Sequence, residues 1–201
     1  MKLIGITGGV GSGKSQVLSF IEEHYLCRIY LADEVAHIVQ QKGQICYEEI
    51  VQLLGRDILG ADGEIDRKKM AAKIFSDEAL LEKVNEIVHP RVEEFIRGKI
   101  DEAEEEGDVE LFFIEAALLI EAGYSHIVNE MWYIYTREDV RRSRLKESRG
   151  YSDEKISQIM SNQLSEEEFR KHCDFVIDNS GTLEDTHLAI KQRLEEYTWL
   201  R

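Results

Sequence analysis

Gly8-Gly9-Val10-Gly11-Ser12-Gly13-Lys14-Ser15 constrains this chain more than any other stretch, because it meets every fixed position of the spacing Gly, four residues, Gly, Lys, Ser/Thr. A loop that wraps a polyphosphate turns successive backbone N–H groups inward and brings main chain against phosphate oxygens. Side chains at the glycine positions would obstruct that approach. The flanks agree with the pattern. Leu3-Ile4-Gly5-Ile6-Thr7 suits a buried parallel strand, and from Lys14 onward the apolar residues fall at helical spacing, with Val17 and Ile21 four apart. Strand, loop and helix in that order make a P-loop. Gly8, Gly9, Gly11, Ser12, Gly13, Lys14, Ser15 and Gln16 are its expected nucleotide-binding residues, with Lys14 on the β- and γ-phosphates of ATP and Ser15 on Mg2+.

The rest of the composition makes any anion site a local one. At 201 residues the chain can bury one substantial core, and its formal charge of −15 would repel nucleic acid or an anionic membrane over most of the surface. Cys27, Cys46 and Cys173 are an odd number without a Cys-x-x-Cys pair, which fits buried thiols in a reducing compartment better than a disulfide scaffold. No apolar run approaches the ~20 residues of a membrane span, so a soluble, cytoplasmic, unexported protein is expected. No pattern fixes an oligomeric state.

Arg28 to Ala32 reads as a second buried strand, and Asp33 stands where a helical pattern begins. That position allows two roles, a helix N-cap or a carboxylate at the strand edge facing the ligand crevice, and one side chain could fill both. From 34 to 106 the pattern is helical, including Met70 to Phe75 and Leu80 to Val88, with breaks near Gly55 and Gly60 to Gly63. That is too much helix for one crossover and reads as an insertion between sheet strands. Pro90 suits the first position of a new helix, with His89 at its entrance as a cap, a packing residue or a ligand. The seven acids of Asp101 to Glu110 read as a solvated helix end.

A third strand, Val109 to Glu115, closes on a carboxylate, and Glu115 is the candidate acid beside Mg2+. A fourth, Met131 to Tyr135, is followed by Thr136 and Asp139 in the form of a helix start. Arg137 to Arg149 then holds six basic residues against three acids in an acidic chain, which supplies the local basic site. Ser165 with Glu168 has the form of a capping box, and Phe175 to Ile177 is a fifth strand. The expected fold is α/β: a mostly parallel five-stranded sheet flanked by helices, with a helical insertion and a helical lid.

Over nearly its whole length the chain resembles the dephospho-CoA kinase family. The resemblance rests on Ile6 to Ser15, Ala32-Asp33 with His37, His89-Pro90 and Asp174-Phe175-Val176-Ile177-Asp178-Asn179. It departs at Gln16, where the family has Thr, and at Glu115 to Glu121, where the family has Asp and a proline. The lid arginines match Arg144 and, with a one-residue slip past Ser148, Arg149. The resemblance implies a P-loop core at 1–33, 107–136 and 166–201, a CoA-binding region at 34–106 and a lid at 137–165. It also implies phosphorylation of the ribose 3′-hydroxyl of dephospho-CoA by ATP with Mg2+. Asp33, Lys14, Arg144 and Arg149 would be catalytic, and Asp33, His89 and Arg91 would bind the substrate. The nearest alternative is another P-loop kinase of small molecules or nucleoside monophosphates.

Overall fold

In the computed structural model, which describes residues 1–74 and 77–197, two compact units are found. One comprises Met1–Ile29 and the chain from Gly107 onward, the other Tyr30–Glu106. Strand β1 (Lys2–Thr7) runs through the glycine loop into helix α1 (Lys14–His24), followed by β2 (Cys27–Leu31). After the second unit come β3 (Leu111–Glu115) and β4 (Glu130–Tyr135), and the chain ends on β5 (Phe175–Asp178) and its final helix. The strands lie in the order β2-β3-β1-β4-β5, with β1 parallel to both β3 and β4, and β4 parallel to β5.

The apolar runs explain the sheet. Ile4, Ile6, Leu111, Phe112, Phe113 and Ile114 are fully buried, as expected of strands covered on both faces. Because the strands are parallel, their carboxyl ends share one edge. Ile6 pairs with Glu115, Thr7 with Tyr133 and Tyr135 with Asp178, so the glycine loop, Glu115, Thr136 and Asn179 all follow strands that end there.

The opposite edge is locked by a buried acid. Glu130 is only 4% exposed and accepts hydrogen bonds from Tyr197 Oη (2.6 Å), Arg193 Nε (2.7 Å) and Trp132 Nε1 (2.8 Å), with Lys2 Nζ 3.3 Å away. Burial alone would raise its pKa, but these donors hold the carboxyl below its ordinary value. The three cysteines are free: Cys46 is buried, whereas Cys27 and Cys173 are half-buried. Burial pushes the Cys27 thiol up to about 11 and the Cys173 thiol to about 12.

The second unit is built from α2 (Ala32–Val39), α3 (Ile45–Leu54), α4 (Arg67–Ile74) and α5 (Glu78–Glu106), with an isolated antiparallel bridge between Leu59 and Ile65. The expected helix at Met70 to Phe75 is α4, and Phe75 itself lies outside the described residues. Pro90 does not begin a helix; it sits inside α5, which is a single helix of 29 residues. A mid-helix proline costs about 3 kcal/mol through a lost hydrogen bond and a clash with the preceding turn. Packing overrides it. Val84, Val88, Val92, Ile96 and Ile100 form one buried stripe at four-residue intervals, and α5 packs on α2 and α3 along it.

Two expected caps are also replaced. Leu31 is the N-cap of α2, with Asp33 already in the first turn. Arg137, not Thr136, is the N-cap of α6 (Glu138–Arg149). Helices α7 (Asp153–Ser161) and α8 (Glu166–His172) follow, the latter capped by Ser165, whose hydroxyl accepts from Glu168 N–H. The last helix, α9 (Leu183–Glu195), starts with a full capping box between Thr182 and Asp185. Among the described residues no helix is long and apolar enough to cross a membrane.

Pro90→Ala restores the missing N–H and is expected to stabilise the folded chain by about 1–3 kcal/mol in urea unfolding. Glu130→Gln should cost about 1–3 kcal/mol at neutral pH, since it weakens hydrogen bonds to a buried charge. The parent carboxyl has a depressed pKa, so its stabilisation is present above the ordinary value of 4.5 and is lost as pH falls through the folded value. The variant lacks that component, and its melting temperature should decline less steeply than the parent's below pH 4.5.

Candidate active site

The site is built on the loop between β1 and α1. Gly13 is the N-cap of α1 in the left-handed region (φ 91°), and a Cβ there would overlap Asn179 Nδ2. A Cβ on Gly8 would meet Ile134 O at 2.6 Å, so the loop leaves β1 in direct contact with the backbone of β4.

The Ser12 carbonyl turns into the protein. It accepts from Asn179 Nδ2 (2.8 Å) and Thr136 Oγ1 (2.8 Å), with Arg144 Nη1 at 3.4 Å. Asn179 is completely buried and uses all its polar groups. Its N–H reaches Tyr135 O (2.8 Å), its side-chain oxygen accepts from Thr186 Oγ1 (2.9 Å) and its carbonyl accepts from Arg144 Nη2 (2.9 Å). The Ser12 hydroxyl is different: it is buried, and among the described residues it has no hydrogen-bond partner.

Lys14 Nζ donates to Gly8 O (2.8 Å) and lies 3.4 Å from a Glu115 carboxylate oxygen, both side chains being mostly buried. Ser15 and Gln16 are exposed in the first turn of α1. Arg141 lies across the loop: Nε donates to Val10 O (3.0 Å) and Nη2 to Gln163 Oε1 (2.7 Å), which also accepts from Val10 N–H (3.2 Å). Burial pulls the Arg141 guanidinium below its ordinary pKa.

The remaining candidates lie on α6 and in the second unit. Arg149 is exposed near the end of α6, 5.9 Å from the Tyr151 ring centre. In the second unit, Asp33 is exposed in the first turn of α2 and His37 follows one turn later, its pKa lowered by burial and by Arg67. His89 is exposed on α5, and Arg91 Nη1 donates to Glu94 (2.8 Å).

The loop, Lys14, Glu115 and Arg144 thus come together, with Thr136, Asn179, Arg141 and Gln163 beside them. In the sequence Thr136 has the pattern of a cap, Arg141 is one of a basic cluster, Asn179 belongs to a motif and Gln163 stands in no pattern. A polar residue directly after an apolar strand was the available signal for Thr136 and Asn179. Gln163 had none.

A phosphate-cradling loop after the central strand of a parallel five-stranded sheet, with a lysine and arginines at its rim, defines a P-loop kinase. The comparisons narrow that class. The family model described as Dephospho-CoA kinase matches residues 2–185, and the chain belongs to that family. It is 36% identical over 200 residues to a dephospho-CoA kinase of Carboxydothermus hydrogenoformans, covering 99% of this chain and 96% of the relative. A dephospho-CoA kinase of Aquifex aeolicus is 37% identical, with 98% of each chain covered. Among solved structures, TT1252 from Thermus thermophilus superposes with TM-score 0.82 at 30% identity, covering 98% of this chain and 97% of that one. Shikimate kinase from Acinetobacter baumannii shares the fold alone, at TM-score 0.51 and 14% identity over 100% of this chain and 96% of that one.

Asn179→Ala removes one of the donors to the Ser12 carbonyl and leaves Thr186 Oγ1 only its longer bond to Thr182 O (3.3 Å). It should cost about 1–3 kcal/mol of stability. MgATP affinity should fall roughly tenfold, measured by calorimetry.

Proposed function

We propose that this kinase transfers the γ-phosphoryl group of ATP to the ribose 3′-hydroxyl of dephospho-CoA, giving coenzyme A and ADP. The observation that carries the reading is an intact P-loop, with Lys14 at its centre, in a chain matched by the dephospho-CoA kinase family over residues 2–185. Such transfer passes through a loose transition state whose charge is spread over phosphoryl oxygens, so alignment and neutralisation do most of the work.

Each residue then has a task. Lys14 leaves Gly8 O to meet the β- and γ-phosphates, loop N–H groups other than those of Val10 and Ser12, which donate to Gln163 Oε1 and Gly9 O, turn to the β-phosphate, and Arg144, already against Ser12 and Asn179, approaches from α6. The buried Ser12 hydroxyl, partnerless among the described residues, suits a loop whose remaining acceptor is the nucleotide. Arg149, at the other end of α6, belongs to the lid that would exclude water. Asp33 would orient the acceptor hydroxyl and take its proton, with His89 and Arg91 among the groups that hold the acceptor.

Ser15 and Glu115 fit Mg2+. A hydroxyl and a carboxylate are hard oxygen donors, and phosphate oxygens and water would complete the shell. Held there, Mg2+ would supply positive charge against the phosphate oxygens.

Incubating the purified protein with MgATP and dephospho-CoA should yield a product one phosphate heavier, with stoichiometric ADP. No product with this acceptor, together with turnover of another hydroxyl compound, would sink the reading. Asp33→Asn should lower kcat by about 10²–10⁴ while the KM for ATP stays nearly constant. An unchanged kcat in the folded variant removes the base assignment.

A further inference from the structure

We propose that Arg141 is a further phosphate-contacting residue of this kinase and that Gln163 is the positioning residue that holds it over the P-loop. The inference rests on the phosphotransfer reading above. It adds a second arginine to Arg144, from a position that the family resemblance did not mark.

Three observations carry it. The first is the geometry: Arg141 donates through Nε to Val10 O (3.0 Å) and through Nη2 to Gln163 Oε1 (2.7 Å), and the same oxygen accepts from Val10 N–H (3.2 Å). Arginine, glutamine and loop backbone close a ring, which fixes a side chain that is otherwise long and free to rotate. Gln163 lies in the connection between α7 and α8, so this ring also ties that connection to the loop.

The second observation concerns Gly9. The P-loop spacing leaves that position free, and a side chain there is compatible with the motif. In this chain a Cβ on Gly9 would meet Arg141 Cζ at 2.7 Å and Gln163 Oε1 at 2.8 Å, and would overlap Arg141 Nη2. A side chain at position 9 would therefore push the arginine and the glutamine out of this arrangement. Gly11 repeats the point one turn along α6, where a Cβ would lie 3.0 Å from Leu145 Cγ and 3.3 Å from Arg141 O.

The third observation is charge. The chain carries 40 acidic residues against 25 basic ones, yet Arg141, half-buried, forms no ion pair with a carboxylate among the described residues. Its neighbours on the helix do: Arg142 pairs with Glu138 (2.8 Å) and Lys146 with Asp153 (2.8 Å). A desolvated guanidinium held by two neutral oxygens at a phosphate loop lacks only an anion, and the terminal phosphate of the nucleotide supplies one. Nη1 is the group left to make that contact.

The test compares the full-length parent with Arg141→Ala, Gln163→Leu, the double variant and Gly9→Ala. ATP and ADP affinities are measured by calorimetry with Mg2+, and kcat with MgATP and dephospho-CoA. Arg141→Ala should weaken ATP binding and lower kcat by about 10- to 100-fold while ADP affinity moves by less than about threefold, because only ATP carries the terminal phosphate. Gln163→Leu should lose most of the same ATP-over-ADP preference, and the double variant should be no worse than Arg141→Ala alone. Gly9→Ala should reproduce the loss by displacing the guanidinium.

Equal weakening of ATP and ADP, additive effects in the double variant, or an unchanged kcat in Arg141→Ala would overturn the proposal. If Arg141→Ala fails to fold by circular dichroism, Arg141→Lys decides, since it keeps the charge but cannot make both neutral contacts and should show the same selective ATP defect. Failure of the parent to phosphorylate dephospho-CoA would instead strike the functional reading. The ATP-against-ADP comparison stands without that acceptor.

Discussion

The carbonyl of Ser12 is where the phosphate loop is held. A loop that aims its N–H groups at an anion points its carbonyls the other way, into protein, where an unpaired carbonyl is costly. Phosphate recognition on one side therefore creates a need for donors on the other. Asn179 and Thr136 supply them from the residues directly after β5 and β4, with Arg144 of α6 alongside. The loop's shape thus depends on the parallel register of β1, β4 and β5, which brings three strand ends to the same edge. Moving β4 by one residue would withdraw the Thr136 hydroxyl and leave the loop without part of its floor.

That dependence separates what the sequence reveals from what it hides. The sheet is legible because strands buried on both faces must be continuous apolar runs, and Leu111 to Ile114 or Ile4 to Ile6 can be little else. The P-loop is legible because its eight residues are contiguous and each answers to local geometry. Asn179, Thr136 and Gln163 serve the same loop through space; for the first two the chain offers only a polar residue after an apolar strand, and for Gln163 it offers nothing. Thr136 even carries a misleading local pattern, since Thr followed by Asp139 looks like a helix start, while its hydroxyl is shared between Ser12 O and Tyr135 O. Pro90 fails in the opposite way. Its local rule is sound, but the five-residue stripe on α5 contributes more than one lost hydrogen bond removes.

Lys14 and Arg141 answer the loop's charge in different ways. Lys14 rests on Gly8 O and beside Glu115, so its ammonium has both an acceptor and a counter-charge. In the proposed reaction it would exchange the carbonyl for phosphate oxygens, and Glu115 would be the acid to hold Mg2+. Arg141 has two neutral acceptors, Val10 O and Gln163 Oε1, which hold it over the loop. The first cation is compensated and can move; the second is fixed and uncompensated. Preorganised charge of the second kind needs no reorganisation when the transition state forms, which is where electrostatic catalysis is most effective.

A net charge of −15 gives that arrangement its setting. A polyanion approaching this molecule meets repulsion over most of the surface, so its binding must be repaid over a few ångströms of loop. Backbone dipoles can do this because they carry no net charge and are not weakened by the acids elsewhere, which are screened beyond about 8 Å at physiological salt. Glycine at four of the eight loop positions is what lets those dipoles converge.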